Sequence, residues 1–220
     1  KEGFAADAGA EKKPEVDFFF FFFKERRMNK RLSGIIIGAI VVIATIWLIT
    51  TYNELVKKQE KVSLQWNEVQ NAYQRRLDLI PNLVNVVKGG ADFEQTTLQK
   101  IAAARAKAQS LSVTNVTAEN VSNVTAAQNE LAQEAMRLVA VIEKYPDLKG
   151  AKAFLDLQAQ LEGTERRIKF ARKDFNEAIQ DYNSRVKTFP TKLVAGILGF
   201  SVKEGFVADA GAEKAVEIKF

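Results

Sequence analysis

Residues 33–51 read SGIIIGAIVVIATIWLITT, and residues 52–88 continue directly as YNELVKKQEKVSLQWNEVQNAYQRRLDLIPNLVNVVK. The first stretch is 19 residues without a charge. At about 1.5 Å rise per residue it reaches roughly 28 Å, close to the hydrocarbon thickness of a bilayer. A core helix of a soluble protein would carry a polar stripe, and this one has none, so it reads as a transmembrane helix. In the second stretch the apolar positions are Leu55, Val62, Trp66, Val69, Tyr73, Leu77, Ile80, Val84 and Val87, with Gln59 in the one gap. Spacings of three and four make this one helical stripe, continuous with the anchor. Pro81 removes a backbone donor and predicts a kink near Leu77 to Ile80. Lys88-Gly89-Gly90 is a helix stop.

Outward to the N-terminal side stand Lys24, Arg26, Arg27, Lys30 and Arg31, with only Glu25 against them. The positive-inside bias places the N-terminus in the cytoplasm and residues 52–220 outside it. Gly34 and Gly38 form a GxxxG pair at which two anchors could pack closely, although chance glycines in an apolar helix are the commoner explanation. Residues 1–12, KEGFAADAGAEK, repeat residues 203–214, KEGFVADAGAEK, with one change. Six phenylalanines, Phe18 to Phe23, follow, and Met28 then opens MNKR, a basic run before the apolar helix. The expectation is that the native product begins at Met28 and that 1–27 is foreign to it. No function is read from 1–27.

Outward to the C-terminal side three more helices are expected. The second covers Asp92 to Leu111, with Asp92 as N-cap and Phe93, Leu98, Ile101, Ala104 and Ala108 inward. Ser112 to Asn123, rich in Ser, Thr and Asn, reads as a connection. Its Asn115, Asn120 and Asn123 match the glycosylation pattern only as a matter of loop composition. The third helix runs from about Val124 to Tyr145. The fourth begins near Gly150 and carries Phe154, Leu157, Leu161, Ile168, Phe175, Ala178, Tyr182, Val186 and Phe189 until Pro190. No strand pattern interrupts them. The fold class is therefore all-α: a single N-terminal transmembrane helix continuous with an antiparallel long-helix bundle, with a short extended C-terminal tail. In domain terms, 1–27 is anomalous, 28–51 is basic flank and anchor, 52–188 is bundle, and 189–220 is an apolar membrane-proximal segment and tail.

The first and fourth helices beyond the anchor have matched lengths, so the chain is expected back at the bilayer surface near Phe189. The next residues, FPTKLVAGILGF (189–200), are apolar and too short to cross. Leu193, Val194, Ile197, Leu198 and Phe200 are the candidate membrane-proximal contact. Two readings stand for them: an interfacial or oligomeric foot, or a segment folded back onto the bundle. Val216 to Phe220 alternates apolar and polar, and reads either as an extended segment pairing elsewhere or as a frayed terminus.

Composition restricts the chemistry. The chain has no Cys and no His, which removes Cys–His and Ser–His relays and the usual zinc sites. Beyond residue 51 it carries 24 basic against 21 acidic residues, interleaved. No basic face of the kind that nucleic acid requires is visible, so no nucleic-acid partner is expected. Arg75, Arg76 and Asp78 beside Pro81, with Glu165, Arg166, Arg167 and Arg172 on the fourth helix, form either an anion site or an inter-helix ion-pair network that fixes register. The network is the preferred reading. Asp174, Glu177 and Asp181 share a face, but Lys173–Glu177 and Asp181–Arg185 are i,i+4 pairs, so a salt-bridged surface explains them better than a metal. No cofactor or metal site is expected.

YNELVKKQEKV (52–62), Trp66, RRLDLIPNLVNVVKG (75–89), Glu94, AAARA (102–106), TERRIKFARKDFNEAIQDYNSRV (164–186), FPTKLVAGILGF (189–200) and Phe220 resemble the LemA family. The resemblance covers essentially Met28 to Phe220. It implies one N-terminal transmembrane helix, a long-helix bundle, and a bacterial envelope protein, single-pass in the cytoplasmic (inner) membrane, whose molecular activity is poorly defined. The family's usual ending resembles residues 12–18 more than 214–220, so 1–18 looks like the C-terminus of another LemA-like copy. The expected function is a non-enzymatic membrane-anchored helical scaffold that self-associates as a homo-oligomer through coiled-coil-like helices. The alternative is an adaptor or regulatory subunit for a membrane protease or envelope stress system. Membrane lipid is the other expected partner.

Overall fold

The computed structural model describes residues 30–88, 95–111, 116–142 and 144–207. The segment 1–27, the Gly89-Gly90 stop, the Asp92 cap, Phe93, Glu94, Asn115 and Val216 to Phe220 lie outside the described residues. Six helices are described: α1 (Lys30–Lys88), α2 (Gln95–Ser110), α3 (Ala118–Ile142), α4 (Pro146–Lys149), α5 (Lys152–Lys187) and α6 (Thr191–Ala195). There is no strand among the described residues. The chain divides between Ile49 and Thr50 into two compact units.

The described part of the first unit is helical and apolar. Its window of mean hydropathy 2.7 contains no buried position, and α1 is the one described helix long and apolar enough to cross a membrane. Gly34 and Gly38 have open space around them.

The second unit is an antiparallel bundle, and its cross-links show the register of α1 against α5. Glu54 pairs with Arg185 at 2.7 Å, Lys61 with Asp181 at 3.5 Å, and Trp66 stacks at 5.3 Å on Phe175. Tyr73 accepts from Arg172 at 2.9 Å and Arg76 meets Glu165. The number rises on one helix as it falls on the other. The expected Asp181–Arg185 pair is replaced by these two inter-helix pairs, whereas Lys173–Glu177 forms within α5 at 3.4 Å.

The α1 stripe is buried at Leu55, Val62, Trp66, Val69, Tyr73, Leu77, Ile80 and Val87. Leu83 takes the buried place expected for Val84, which is half-buried. α1 stays helical through Pro81, and the carbonyl that Pro81 cannot satisfy, that of Leu77, accepts from Arg105 Nε at 3.0 Å. On α5, Thr164 fills the gap between Leu161 and Ile168. Phe189, beyond the end of α5, is exposed rather than on the stripe.

α3 starts six residues before the expected position. Thr117 Oγ1 accepts from the Asn120 N–H at 3.2 Å, so a residue of the supposed connection is the N-cap of the helix. Glu119 in the first turn favours the same start.

The core has two apolar clusters in sequence along the bundle. One gathers Leu55 to Tyr73 of α1, Val121 and Val124 of α3, Ile168 to Val186 of α5, Ala195 and Phe200. The other gathers Leu77 to Val87, Ile101 to Ala108 of α2, Ala127 to Ile142 of α3 and Phe154. Arg76 and Thr164, both buried, fall between them in sequence on α1 and α5, and buried Gln128 lies one residue into the second cluster's stretch of α3.

Candidate functional site

The polar layer between the two clusters is built around Arg76, only 2% exposed. Its Nε donates to Glu165 Oε1 at 2.7 Å and its Nη2 to Oε2, a two-point guanidinium–carboxylate pair. Its Nη1 donates to the Gln128 carbonyl at 2.9 Å and to Gln128 Oε1 at 3.1 Å. One side chain of α1 thus ties α3 and α5. A guanidinium buried among apolar layers is tolerated only where its donors are filled, and sliding any of the three helices by one turn would empty them.

The remaining residues singled out in the sequence go to different places. Arg172 donates to Tyr73 Oη and, through Nη2, to Asn129 Oδ1 at 3.0 Å rather than to a carboxylate. Arg75, Asp78 and Arg167 are exposed, with Asp78 accepting from Gln74 one turn away at 2.8 Å. Burial pushes the Tyr73 phenol up from its ordinary value, against the opposing pull of the Arg172 and Arg76 guanidiniums over its ring.

The second site was not visible in the sequence. Ser201 to Val207 has no regular secondary structure and is held on α5 by two asparagines seven residues apart. Asn183 Oδ1 accepts from the Lys203 N–H at 2.8 Å while its Nδ2 donates to the Lys203 carbonyl at 2.7 Å. Asn176 does the same for Phe206, at 2.8 and 3.0 Å. Two helical turns, about 10.5 Å, match three residues of extended chain, so each amide reads one peptide unit. Tyr182 Oη donates to the Ser201 carbonyl at 2.9 Å.

Side chains give this clamp its selectivity. The Phe206 ring lies 5.4 Å from Phe175 and 6.1 Å from Trp66, with the Arg172 guanidinium 5.1 Å over it. Lys203 Nζ stands 5.7 Å over the Tyr182 ring. A Cβ at Gly205 would overlap Asn176 Oδ1, so a side chain there would displace the amide that holds Phe206. A heptad-spaced Asn pair, each following a buried aromatic (Phe175-Asn176, Tyr182-Asn183), was the available signal.

Part of the 189–200 segment folds back onto the bundle, and part of it stays exposed. Leu198 N–H reaches Val194 O, Gly199 N–H reaches Gly196 O and Phe200 N–H reaches Ala195 O, with Gly199 at φ 81°. This is a Schellman ending, in which the left-handed glycine reverses the chain and the following apolar residue packs back. Phe200 is buried and meets Tyr52 edge-on at 5.6 Å, while Val194 and Leu198 are half-buried. Leu193 and Ile197 are exposed, at 64% and 86%.

Comparison with known proteins gives these similarities. A family model described as LemA family matches residues 65–220. Protein LemA of Metamycoplasma hominis is 27% identical over 143 residues, covering 65% of this chain and 63% of that protein. Magnetosome protein MamQ 2 of Paramagnetospirillum magneticum is 34% identical over 70 residues, 32% of this chain and 26% of that protein. Magnetosome protein MamQ of Magnetospirillum gryphiswaldense is 33% identical over a segment of the same length. The chain spans less than two thirds of the length of these curated relatives.

Proposed function

The chain belongs to the LemA family, and on that premise we propose that it is a non-enzymatic, membrane-anchored helical scaffold that self-associates. The observation that carries this reading is the asparagine clamp. It is a device that grips the main chain of a non-helical segment by both its N–H and its carbonyl, and the segment it grips, Ser201 to Val207, belongs to the same chain. Exchange of such an element between identical copies is a low-cost route to association, because every contact of the strap is reproduced in the partner. The buried polar groups of the bundle support the same reading, since Arg76 and Gln128 are spent on holding helices together.

The apolar, unburied helix at 32–49 supports a membrane anchor, and the basic flank before it supports an N-terminus in the cytoplasm with the bundle outside. Light scattering on the detergent-solubilised full chain tests self-association. An oligomer that falls apart in Asn176→Ala/Asn183→Ala is expected, and a strict monomer in both detergent and lipid discs overturns the reading.

A second reading, an adaptor for a membrane protease or another envelope protein, is favoured by an apolar cleft of about 220 Å³ between α3 and α5. Ala132, Ala135, Met136, Val139 and Leu161 line it. Photo-crosslinking from position 136 in native membranes separates the two. Adducts with a protease support the adaptor, and adducts with the chain itself favour the scaffold.

A further inference from the structure

We propose that the 187–200 segment is a lipid-binding foot, which seats the bundle on an anionic bilayer surface through one face of α6 and the turn after it. Phe189 in the turn before α6, Leu193 on α6 and Ile197 in the turn after it are 75%, 64% and 86% exposed. The opposite face, Thr191, Ala195 and Phe200, is buried in the bundle. The segment is thus fixed to the core by one side and offers three large apolar side chains on the other, an arrangement that costs solubility unless something covers it.

Charge and chain connectivity name the cover. From Tyr182 to Lys203 the chain has four basic residues and no acidic one; Arg185 is paired with Glu54, which leaves Lys187, Lys192 and Lys203 as the excess. The rest of the bundle is nearly balanced, so this excess is local. Lys187 and Lys192 are exposed, and basic residues beside exposed apolar ones are the composition of a surface that lies in anionic headgroups. The foot also packs, through Phe200, against Tyr52, which stands three residues beyond Ile49. Trp47 and Tyr52 bracket the end of the apolar span, where amphipathic rings favour the headgroup level. A protein partner of unspecified shape would need none of these coincidences.

This inference rests on the membrane-anchor reading, and the experiment separates the two. The chain has no cysteine, so single labels can be placed directly. The full chain carrying an environment-sensitive fluorophore at Ile197→Cys, Ile43→Cys or Leu155→Cys is assembled in lipid discs with doxyl-labelled lipid. The discs are phosphatidylcholine with or without phosphatidylglycerol. The label at 43 is expected to be quenched in both lipids, and the label at 155 in neither. At 197 a blue shift and quenching are expected, stronger in the anionic discs. Lys187→Gln/Lys192→Gln should return the 197 signal to its neutral-lipid value. Quenching at 43 without quenching at 197 overturns the foot and leaves the anchor standing, whereas no quenching at 43 overturns the anchor itself. Labels at 197 that quench one another in discs with two chains, but not with lipid, overturn the foot in favour of a contact between copies.

Discussion

The two halves of the bundle core are built on different terms. The half from Leu55 to Tyr73 is aromatic: Trp66, Tyr73, Phe175, Tyr182 and Phe200, with Phe206 of the strap packed on them. The half from Leu77 to Val87 is mostly aliphatic, with small α2 and α3 alanines that let the helices approach. Four helices close the aliphatic half among themselves. The aromatic half takes its last pieces from a non-helical strap held by two amides. One half is therefore finished by local helix packing, and the other by a segment that must fold back. The stability of the second half is therefore expected to respond to changes in the strap that leave the first half untouched.

The largest expected effect comes from the seam. Glu165→Ala leaves the buried Arg76 guanidinium without its carboxylate. Because Glu165 is itself 30% exposed, the cost should fall at the lower end of the range of about 3–5 kcal/mol for fully buried pairs. Urea unfolding of the solubilised chain should show this loss. In a Trp47→Phe background, Trp66 fluorescence, which then reports the aromatic half, should also part from helical circular dichroism, which reports both. Coincident transitions in the variant would mean that the seam does not couple the halves.

The next effect is confined to the aromatic half. Phe206→Ala removes a half-buried ring and should cost about 2 kcal/mol, below the range for fully buried phenylalanine. Gly205→Ala should match it through its clash with Asn176 while leaving the ring present. Both should raise amide exchange in residues 201–207 while the α2–α3 core stays protected. A uniform loss over both halves would count against their separability.

Much of this architecture was legible in the chain. The stripe from Leu55 to Val87 and the one from Phe154 to Val186 follow from spacing alone, because packing of helix against helix repeats every three or four residues. Thr117 as a cap was not, because Ser, Thr and Asn start helices as readily as they fill connections. Phe189 left the stripe because α5 ended two residues before it. The clamp was hidden for a different reason. An asparagine on the shoulder of an apolar stripe is indistinguishable from surface until the partner backbone is placed, and that backbone lies 20 to 30 residues on. Arg76 was legible as a network member, but not as the one that is buried.

A smaller effect tests how α1 survives its proline. Arg105→Ala should cost about 1 kcal/mol, the usual worth of one such bond, because the Leu77 carbonyl then has no donor. In a Pro81→Ala background the restored N–H can satisfy that carbonyl within the helix, so the cost of Arg105→Ala should shrink. A double-mutant cycle from urea midpoints reads the coupling. Equal costs in both backgrounds would mean that Arg105 acts elsewhere.

The smallest effect is on pH and belongs to the aromatic half alone. Burial holds the Tyr73 phenol above its ordinary value of 10.0, so the unfolded chain ionises first as pH rises. The folded state then binds the extra proton. The stability this contributes is complete below about pH 10 and is lost as pH climbs through the folded value. Lysines titrate in the same range, so the slope of the wild type is not diagnostic by itself. The difference is: Tyr73→Phe should lose less stability than the wild type between about pH 9.5 and 11. Its stability at pH 7 falls by the bonds that the hydroxyl makes with Arg172 and Thr125. Because Trp66 sits in the same cluster, its fluorescence in a Trp47→Phe background should follow the alkaline change with Tyr73 present and resist it with Phe there. An alkaline slope unchanged by the substitution would remove Tyr73 as its source and leave the two halves alike in their response to pH.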